Sequence, residues 1–209
     1  MIDLNQRSAG VLLHLTSLPG PHGIGDFGPD AHRFVDWLAA TGQRVWQWLP
    51  INPIGPGNSP YQSVSAFAGS PLMVALEPLV AAGWLAPPTL PPSGFEPRRV
   101  DFGKVIPWRL QQLRAAHAGF RARASAAELR SCAQWCAANA DWLADYTLFM
   151  ALEAAEYGRA WWHWPKPLRD RDPAALADAR RIHAAEIDFW AFVQWCFDTQ
   201  ALALKAHAN

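Results

Sequence analysis

The sequence predicts an α/β fold in which a short strand–helix–strand unit at the N-terminus precedes a mostly helical region. Three observations lead to this prediction. Two β-rich segments flank one amphipathic segment near the N-terminus, helical periodicity fills the chain after residue 104, and a proline-rich stretch over residues 86–97 lies between them. We therefore expect one domain over residues 1–85 and a second, mostly helical one over residues 86–209.

The N-terminal unit is expected to hold two parallel strands. The first is predicted near residues 10–15, where β-rich residues alternate, and the second over residues 43–49, which Pro50 ends. Between them, apolar residues at helical spacing predict a helix over residues 30–41. A strand–helix–strand order favours parallel pairing with a right-handed crossover.

Two loops follow these strands at their carboxyl ends, where ligands gather in parallel architectures. They cover residues 16–30, rich in glycine and proline, and residues 50–71. These loops are the candidate ligand-binding segments of the chain.

The second region is predicted to be helical apart from its connections. Its predicted helices cover residues 104–123, 125–138, 140–157 and 174–208, the last broken near 185, with a loop over 161–173. Residues 71–85 predict one more short helical element. Two strands are too few to close a barrel or to form a stable parallel sheet, so we expect the chain to be part of a longer protein.

Charge and hydropathy exclude several classes of partner. Lys and Arg together number 18, as do Asp and Glu, so the chain has no basic field for nucleic acid. The N-terminus lacks the layout of a secretion signal, and no apolar run reaches the roughly 20 residues of a membrane helix. The sequence therefore predicts a cytoplasmic protein that binds neither nucleic acid nor membranes.

The three cysteines are predicted to be reduced thiols, because an odd number without an export signal argues against disulfides. Cys132 and Cys136 lie one helical turn apart, but no histidine or third cysteine is near in sequence to complete a zinc site. We expect both to be buried core residues.

Two polar residues, one in the first predicted strand and one in the loop after it, have structural and functional interpretations. The segment GIGDFG, Gly23 to Gly28, does not open a helix at once and is followed by no P-loop lysine, so it does not predict a phosphate site. Its Asp26 is expected to accept hydrogen bonds from amides of its own loop, or from a ligand hydroxyl, rather than to bind a metal. His14, between two leucines, is expected to be structural.

Glycosyl transfer through a covalent intermediate needs two carboxyl groups about 5 Å apart, one of them protonated. The candidate pairs are Asp170 with Asp172, Glu186 with Asp188, and Glu153 with Glu156, and none follows a predicted strand. We interpret them as solvated charges or ion pairs.

The segment GNSPYQSVSAFAG, Gly57 to Gly69, carries hydroxyls, two side-chain amides, aromatic rings and no charge. Recognition of a neutral polyol uses this combination, because the hydroxyls form directional hydrogen bonds and a ring offers a flat apolar face. Tyr61 would be that face. The alternative is that Pro60 and Tyr61 only pack the loop onto the sheet, and spacing alone does not decide between them.

Several segments together resemble one known family. HLTSLPGPHGIGDFG, VWQWLPINPIG and SPYQSVSAFAGSP are similar, in order and spacing, to the N-terminal part of the 4-α-glucanotransferases, or amylomaltases, of glycoside hydrolase family 77. VDFGKV, the stretch from Asp141 to Pro173, and the final helix resemble later parts of the same family. The resemblance covers essentially the whole chain.

The resemblance implies the N-terminal sector of a (β/α)8 TIM barrel with a large helical insertion, incomplete as given. It also implies transfer of α-1,4-glucan segments between maltooligosaccharides through a covalent glucosyl-enzyme intermediate, without metal or organic cofactor. Ser59 and Tyr61 match residues that line the family's donor subsites, and with Asp26 they form our predicted substrate-binding set. The family's catalytic carboxylates are expected downstream of Asn209, so this chain alone is expected to be inactive.

A second interpretation is a non-catalytic α-glucan-binding or regulatory module. The family also has an asparagine where this chain has Ser70, so no role of that side chain is carried over.

Overall fold

The computed structural model describes residues 7–91, 94–96 and 98–209. Its N-terminal part contains β1 (Gly10–Leu12), α1 (Pro29–Ala40), β2 (Val45–Gln47), the short α2 (Glu77–Ala81) and α3 (Phe102–Arg123). The helices that follow are α4 (Ala126–Ala138), α5 (Ala140–Ala155), α6 (Lys166–Arg169), α7 (Pro173–Ile182) and α8 (Ala184–Ala208).

The two strands pair in parallel, as predicted, with Gly10 opposite Val45 and Leu12 opposite Gln47. Each strand is shorter than the sequence predicts. The first ends early because the chain turns at His14, whose carbonyl accepts the amide of Ser17 at 2.9 Å. The strands therefore serve mainly to direct their following loops to the same edge.

The helices lie close to their predicted positions, and several of them begin at a local sequence signal. α1 has Pro29 in its first turn, and α7 begins after Asp172, whose side chain accepts the amide of Ala175 at 2.9 Å. The predicted break near 185 lies at His183. One prediction was wrong: residues 161–173 are not all loop but contain α6, which has Pro167 in its single turn.

Internal contacts divide the chain into two compact units. The first contains residues up to Arg123 together with Cys196–Asn209, and the second contains Ala124–Trp195. α8 begins in the second unit and ends in the first. The predicted domain boundary near residue 85 stays a prediction, although α3 belongs to the first unit.

Each unit has its own apolar core. In the first, Ile24, Leu72 and Val105 pack with half-buried residues of the 50–56 and 95–106 segments. In the second, Leu148, Leu152 and Trp164 pack with Leu176 of α7. Among the described residues, no helix combines the length and apolar character needed to cross a membrane.

Candidate functional site

The loop after β2 contains the uncharged segment Gly57–Gly69, which we call the uncharged loop. The chain folds tightly onto itself between residues 55 and 62. The amide of Gly55 donates to the carbonyl of Ser59 at 2.9 Å, and a 3-10 turn over Pro56–Asn58 lies between them. A side chain at Gly55 would place its Cβ 1.8 Å from the carbonyl oxygen of Gln62, so glycine is required there. This close approach gives the loop a defined shape before any ligand arrives.

Three serines stabilise the loop through its own backbone. The Ser59 hydroxyl oxygen accepts the amide of Tyr61 at 3.3 Å, and the Ser63 hydroxyl donates to the carbonyl of Ser65 at 2.9 Å. Ser65 in turn accepts the amides of Phe67 and Ala68 at 3.2 and 3.1 Å. The hydroxyls that the sequence suggests for a ligand thus first order the loop, and Ser59 keeps its O–H as a donor.

The aromatic side chains of this loop point to solvent. Tyr61 is 70% exposed and Phe67 is 73% exposed, with Val64 half exposed between them. The exposure of Tyr61 argues against the alternative that its ring packs the loop onto the sheet. Sequence analysis missed Phe67, although a second aromatic in the same uncharged segment was a visible signal for it.

Asp26 lies elsewhere, buried beneath the loops of the first unit. Its Oδ1 accepts the amide of Gly28 at 2.9 Å, as expected for a carboxylate that orders its own loop. Its Oδ2 accepts a hydrogen bond from the guanidinium of Arg109 at 2.9 Å, and Arg109 is completely buried. Both oxygens therefore have partners within the chain, and the substrate-binding role of Asp26 stays a prediction.

Arg109 and a neighbouring backbone bond join the loop that carries Asp26 to the segment that follows residues 50–71. The guanidinium also donates to the carbonyl of Val74, and the amide of Phe27 donates to the carbonyl of Met73 at 3.0 Å. The segment after the uncharged loop is thus fixed to the segment that carries Asp26. Sequence analysis gave no indication of Arg109, because its partners are distant along the chain.

Three side chains near Arg109 have the donor atoms of a metal site. His22, Asp26 and Glu77 each place one ligand atom within 4.8 Å of the others. Burial lowers the pKa of His22, which favours the neutral imidazole that binds metals, while the nearby Glu77 carboxylate opposes this shift. Because Arg109 already supplies a positive charge to Asp26, the arrangement suits an internal ion-pair network better than a bound cation.

A cleft of about 710 Å³ opens beside the uncharged loop at Asn58. Charged side chains of the segment before and at the start of α3 line it, among them Glu96 and Asp101. Asp101 pairs with Lys104 at 3.7 Å. The cleft therefore offers polar groups next to the uncharged loop. The Asp101–Lys104 ion pair that lines it is exposed to solvent.

The remaining polar candidates have local roles. His14 is half buried, and burial lowers its pKa, which favours the neutral imidazole. Asp170 forms ion pairs with Lys166 at 2.6 Å and Arg169 at 2.9 Å, and hydrogen bonds from these two residues lower its pKa to about 2. Burial raises the pKa of Glu153. The interpretation of Asp170 as a solvated ion pair is confirmed.

Comparisons with known proteins agree on one family. The sequence profile of the 4-alpha-glucanotransferase family matches residues 13–209. A 4-alpha-glucanotransferase of Thermus thermophilus is 46% identical over 203 residues, which are 97% of this chain and 40% of that protein. One from Synechocystis is 42% identical over 209 residues, with coverage of 99% and 41%.

A solved structure gives the same result for the fold. The amylomaltase of Streptococcus agalactiae in complex with acarbose superposes with a TM-score of 0.89 at 32% identity, over 98% of this chain and 41% of that one. The predicted fold class, a sector of the amylomaltase fold with a large helical part, is confirmed. The chain spans about 40% of the length of the curated relatives it matches.

Proposed function

This chain belongs to the 4-alpha-glucanotransferase family, and we propose that it supplies the donor-side glucan-binding loop of an enzyme that transfers α-1,4-glucan segments between maltooligosaccharides. The observation that carries this proposal is the exposed ring of Tyr61 on an uncharged loop that its own serines hold in shape. A ring that is already exposed and positioned can stack on a glucose unit with little ordering cost.

The chemical step requires residues that we place outside the 40% of the family's length that this chain spans. A covalent glucosyl-enzyme intermediate needs a nucleophilic carboxylate and a second carboxyl group that acts first as acid and then as base, about 5 Å apart. Two carboxylates of the first unit already have partners within the chain: Asp26 pairs with Arg109, and Asp101 with Lys104. In this proposal Ser59 and Tyr61 bind and orient the donor, while the catalytic pair comes from the remaining length.

Substitution of Tyr61 tests the binding part of the proposal. We expect Tyr61→Ala to weaken maltoheptaose binding to the 209-residue chain about tenfold, which corresponds to about 1.4 kcal/mol of lost stacking. Tyr61→Phe keeps the ring and should retain most of the affinity. Titration calorimetry or a fluorescence titration would measure both.

The control for this experiment is Tyr157→Asn. Tyr157 is 96% exposed and has a positive φ, which asparagine tolerates, and it lies in the second unit. Its substitution should leave maltoheptaose affinity unchanged. Unaltered affinity in Tyr61→Ala, or no measurable binding by the unsubstituted chain, would contradict the proposed role.

Activity measurements separate the transferase from the non-catalytic binding module. We expect the 209-residue chain alone to release no glucose from maltotriose, and a chimera that joins it to the remaining length of the Thermus thermophilus relative to release glucose and form longer oligomers. An inactive chimera that is folded and still binds maltoheptaose would favour the binding module. Turnover by the chain alone would contradict our placement of the catalytic carboxylates.

A further inference from the structure

The connection between α5 and α6 presents two adjacent tryptophan side chains to solvent. Trp161 is 50% exposed and Trp162 is 57% exposed, and both belong to the 3-10 turn Trp161–His163 of the second unit. Tryptophan side chains are highly buried on average, so two neighbouring exposed indoles call for a physical reason. The role proposed for the uncharged loop of the first unit does not use them.

A third tryptophan fixes this turn to the core of the second unit. Trp164 is 6% exposed and packs in that core, and its indole N–H donates to the carbonyl of Arg159 at 2.8 Å. Its amide donates to the carbonyl of Trp161 at 3.1 Å. The amide of His163 donates to the carbonyl of Ala160 at 2.9 Å. The backbone that carries the two exposed rings is therefore ordered before any ligand binds, which lowers the entropy cost of binding.

The two exposed rings form one continuous aromatic surface. The ring centroids of Trp161 and Trp162 are 5.9 Å apart and the ring planes meet at 82°, with the ring of His163 5.9 Å beyond Trp162. The flat face of an indole can stack on a sugar ring, and the N–H at its edge can donate to a hydroxyl. Two faces at nearly a right angle match a glucan chain, because α-1,4 linkages turn successive glucose rings relative to each other.

The charged side chains that flank this turn in sequence are paired with one another. Arg159 pairs with Glu156 at 3.7 Å. Asp170 pairs with Lys166 at 2.6 Å and with Arg169 at 2.9 Å. These pairs leave no strong field of a single sign beside the two rings, so the charge pattern favours a neutral ligand over an ionic one.

The exposed area of the two rings fits a small ligand better than a protein. A tryptophan side chain offers about 150–250 Å², so two half-exposed indoles present roughly 200 Å² together. A stable protein interface uses about 800 Å² on each partner. A second copy of this chain would therefore need a much larger surface than this one, whereas one or two glucose units would cover it.

We propose that Trp161 and Trp162 form a second contact surface for α-1,4-glucan chains, which we call the tryptophan surface. The choice of ligand rests on the proposed function, because the substrate of that reaction is the neutral polyol that these rings fit. The tryptophan surface makes and breaks no bond. It binds the polymer on the helical unit and so raises the concentration of glucan around the enzyme.

Affinity electrophoresis of the 209-residue chain in amylopectin gels tests this surface, because binding to the polymer slows migration. Trp161→Ala and Trp162→Ala should each raise the apparent dissociation constant roughly three- to tenfold. Trp162→Phe keeps a ring and should retain most of the affinity. Trp37→Ala is the matched control, since Trp37 of α1 is 51% exposed, and it should leave migration unchanged.

Combination with Tyr61→Ala separates the tryptophan surface from the proposed function. We expect Tyr61→Ala to leave part of the retardation and the further change Trp162→Ala to remove it. Loss of all retardation in Tyr61→Ala alone would overturn the tryptophan surface and leave the proposed function intact. Undiminished retardation in Tyr61→Ala that Trp162→Ala then removes would contradict the role of the uncharged loop and support the tryptophan surface.

Hydroxyl-radical labelling gives a measurement that does not depend on the folding of variants. In the unsubstituted chain, maltodextrin should protect the peptide that contains Trp161 and Trp162, relative to an equal concentration of α-1,6-linked dextran as the scavenging control. The chimera should give the same result. Equal labelling in both sugars would overturn the proposal. So would protection of these rings in the chimera without glucan, because the rest of the enzyme would then cover them.

Discussion

At the scale of single residues, the most consequential contact is the buried pair of Asp26 and Arg109. The pair joins residues 83 apart in the sequence, and neither partner is appreciably exposed. The arginine also binds the carbonyl of Val74, so it holds the backbone that follows the uncharged loop. The geometry of the candidate glucan-binding loop thus depends on a charge that lies beneath it.

Loss of Arg109 should be strongly destabilising. Arg109→Met leaves the Asp26 carboxylate buried without its counter-charge, and we expect the free energy of unfolding to fall by roughly 3–5 kcal/mol. Urea denaturation followed by circular dichroism would measure the change.

A matched substitution separates this effect from the loss of any arginine. Arg33→Met removes an arginine whose ion pair with Asp30 is exposed, and it should change stability by less than about 0.5 kcal/mol. The double variant Asp26→Asn with Arg109→Met should be less destabilised than Arg109→Met alone. Equal stability of Arg109→Met and Arg33→Met would show that the buried Asp26–Arg109 pair does not contribute to the stability of the fold.

At the scale of elements, α4 illustrates how a local sequence signal sets a helix boundary. Ser125 accepts the amide of Glu128 at 3.2 Å, while the Glu128 carboxylate accepts the amide of Ser125 at 2.7 Å. This reciprocal capping box starts the helix that carries Cys132 and Cys136. Because both partners are within four residues, the start of α4 could be read from the sequence.

The capping box makes the start of α4 sensitive to acid. Hydrogen bonds from Ser125 lower the pKa of Glu128 below its ordinary value of 4.5. A group with a lowered folded-state pKa stabilises the fold above its unfolded pKa, and this contribution is lost as the pH falls through the folded value. We therefore expect the stabilisation by this cap to be complete above pH 4.5 and to fade below it.

Ser125→Ala checks this expectation. The variant should lose about 1 kcal/mol at neutral pH, and its difference in thermal stability from the unsubstituted chain should shrink as the pH falls below 4.5. A nuclear magnetic resonance titration should show the Glu128 pKa returning toward 4.5 in the variant. A stability difference that stays constant from pH 6 to pH 3 would argue against the carboxylate's part in the cap.

At the scale of the whole molecule, the C-terminal end of α8 packs against segments of the first unit that are distant in sequence. The Gln200 side chain accepts the amide of Ala75 at 2.7 Å and donates to its carbonyl at 3.1 Å, across 125 residues of sequence. Phe197 packs edge-on against Phe27 with ring centroids 5.1 Å apart, and leaves no space for a side chain at Gly69. The Gln200 contact holds the segment that follows the uncharged loop, and Phe197 packs against the last residue of that loop.

Gln200→Met should remove both hydrogen bonds to the backbone of Ala75 while keeping the volume of the side chain. The variant leaves a buried backbone amide and carbonyl without partners, and we expect a loss of about 2 kcal/mol of stability by urea denaturation. Gln111→Met, at an exposed position of α3, is the comparison and should be close to neutral. A nearly neutral effect of Gln200→Met would mean that water replaces the lost hydrogen bonds at Ala75.

The sequence by itself determined the family, the helices and the position of the uncharged loop. Caps, prolines and helical periodicity act over a few residues, so the bounds of α1, α3, α4 and α8 were predicted to within about two residues. The strands were predicted too long, because their ends depend on pairing rather than on their own residues.

Only the tertiary structure decided how the polar groups are used. In the folded chain Asp26 pairs with Arg109, the serine hydroxyls of the loop bond to backbone amides and a carbonyl, and Cys132 and Cys136 are half exposed, contrary to the predicted burial. Such partners are set by which segments meet in space, and a buried charge or a satisfied hydroxyl looks the same in the sequence as a ligand-binding one. For this reason the sequence could suggest a candidate site in the chain but could not assign the hydrogen bonds and ion pairs of each side chain within it.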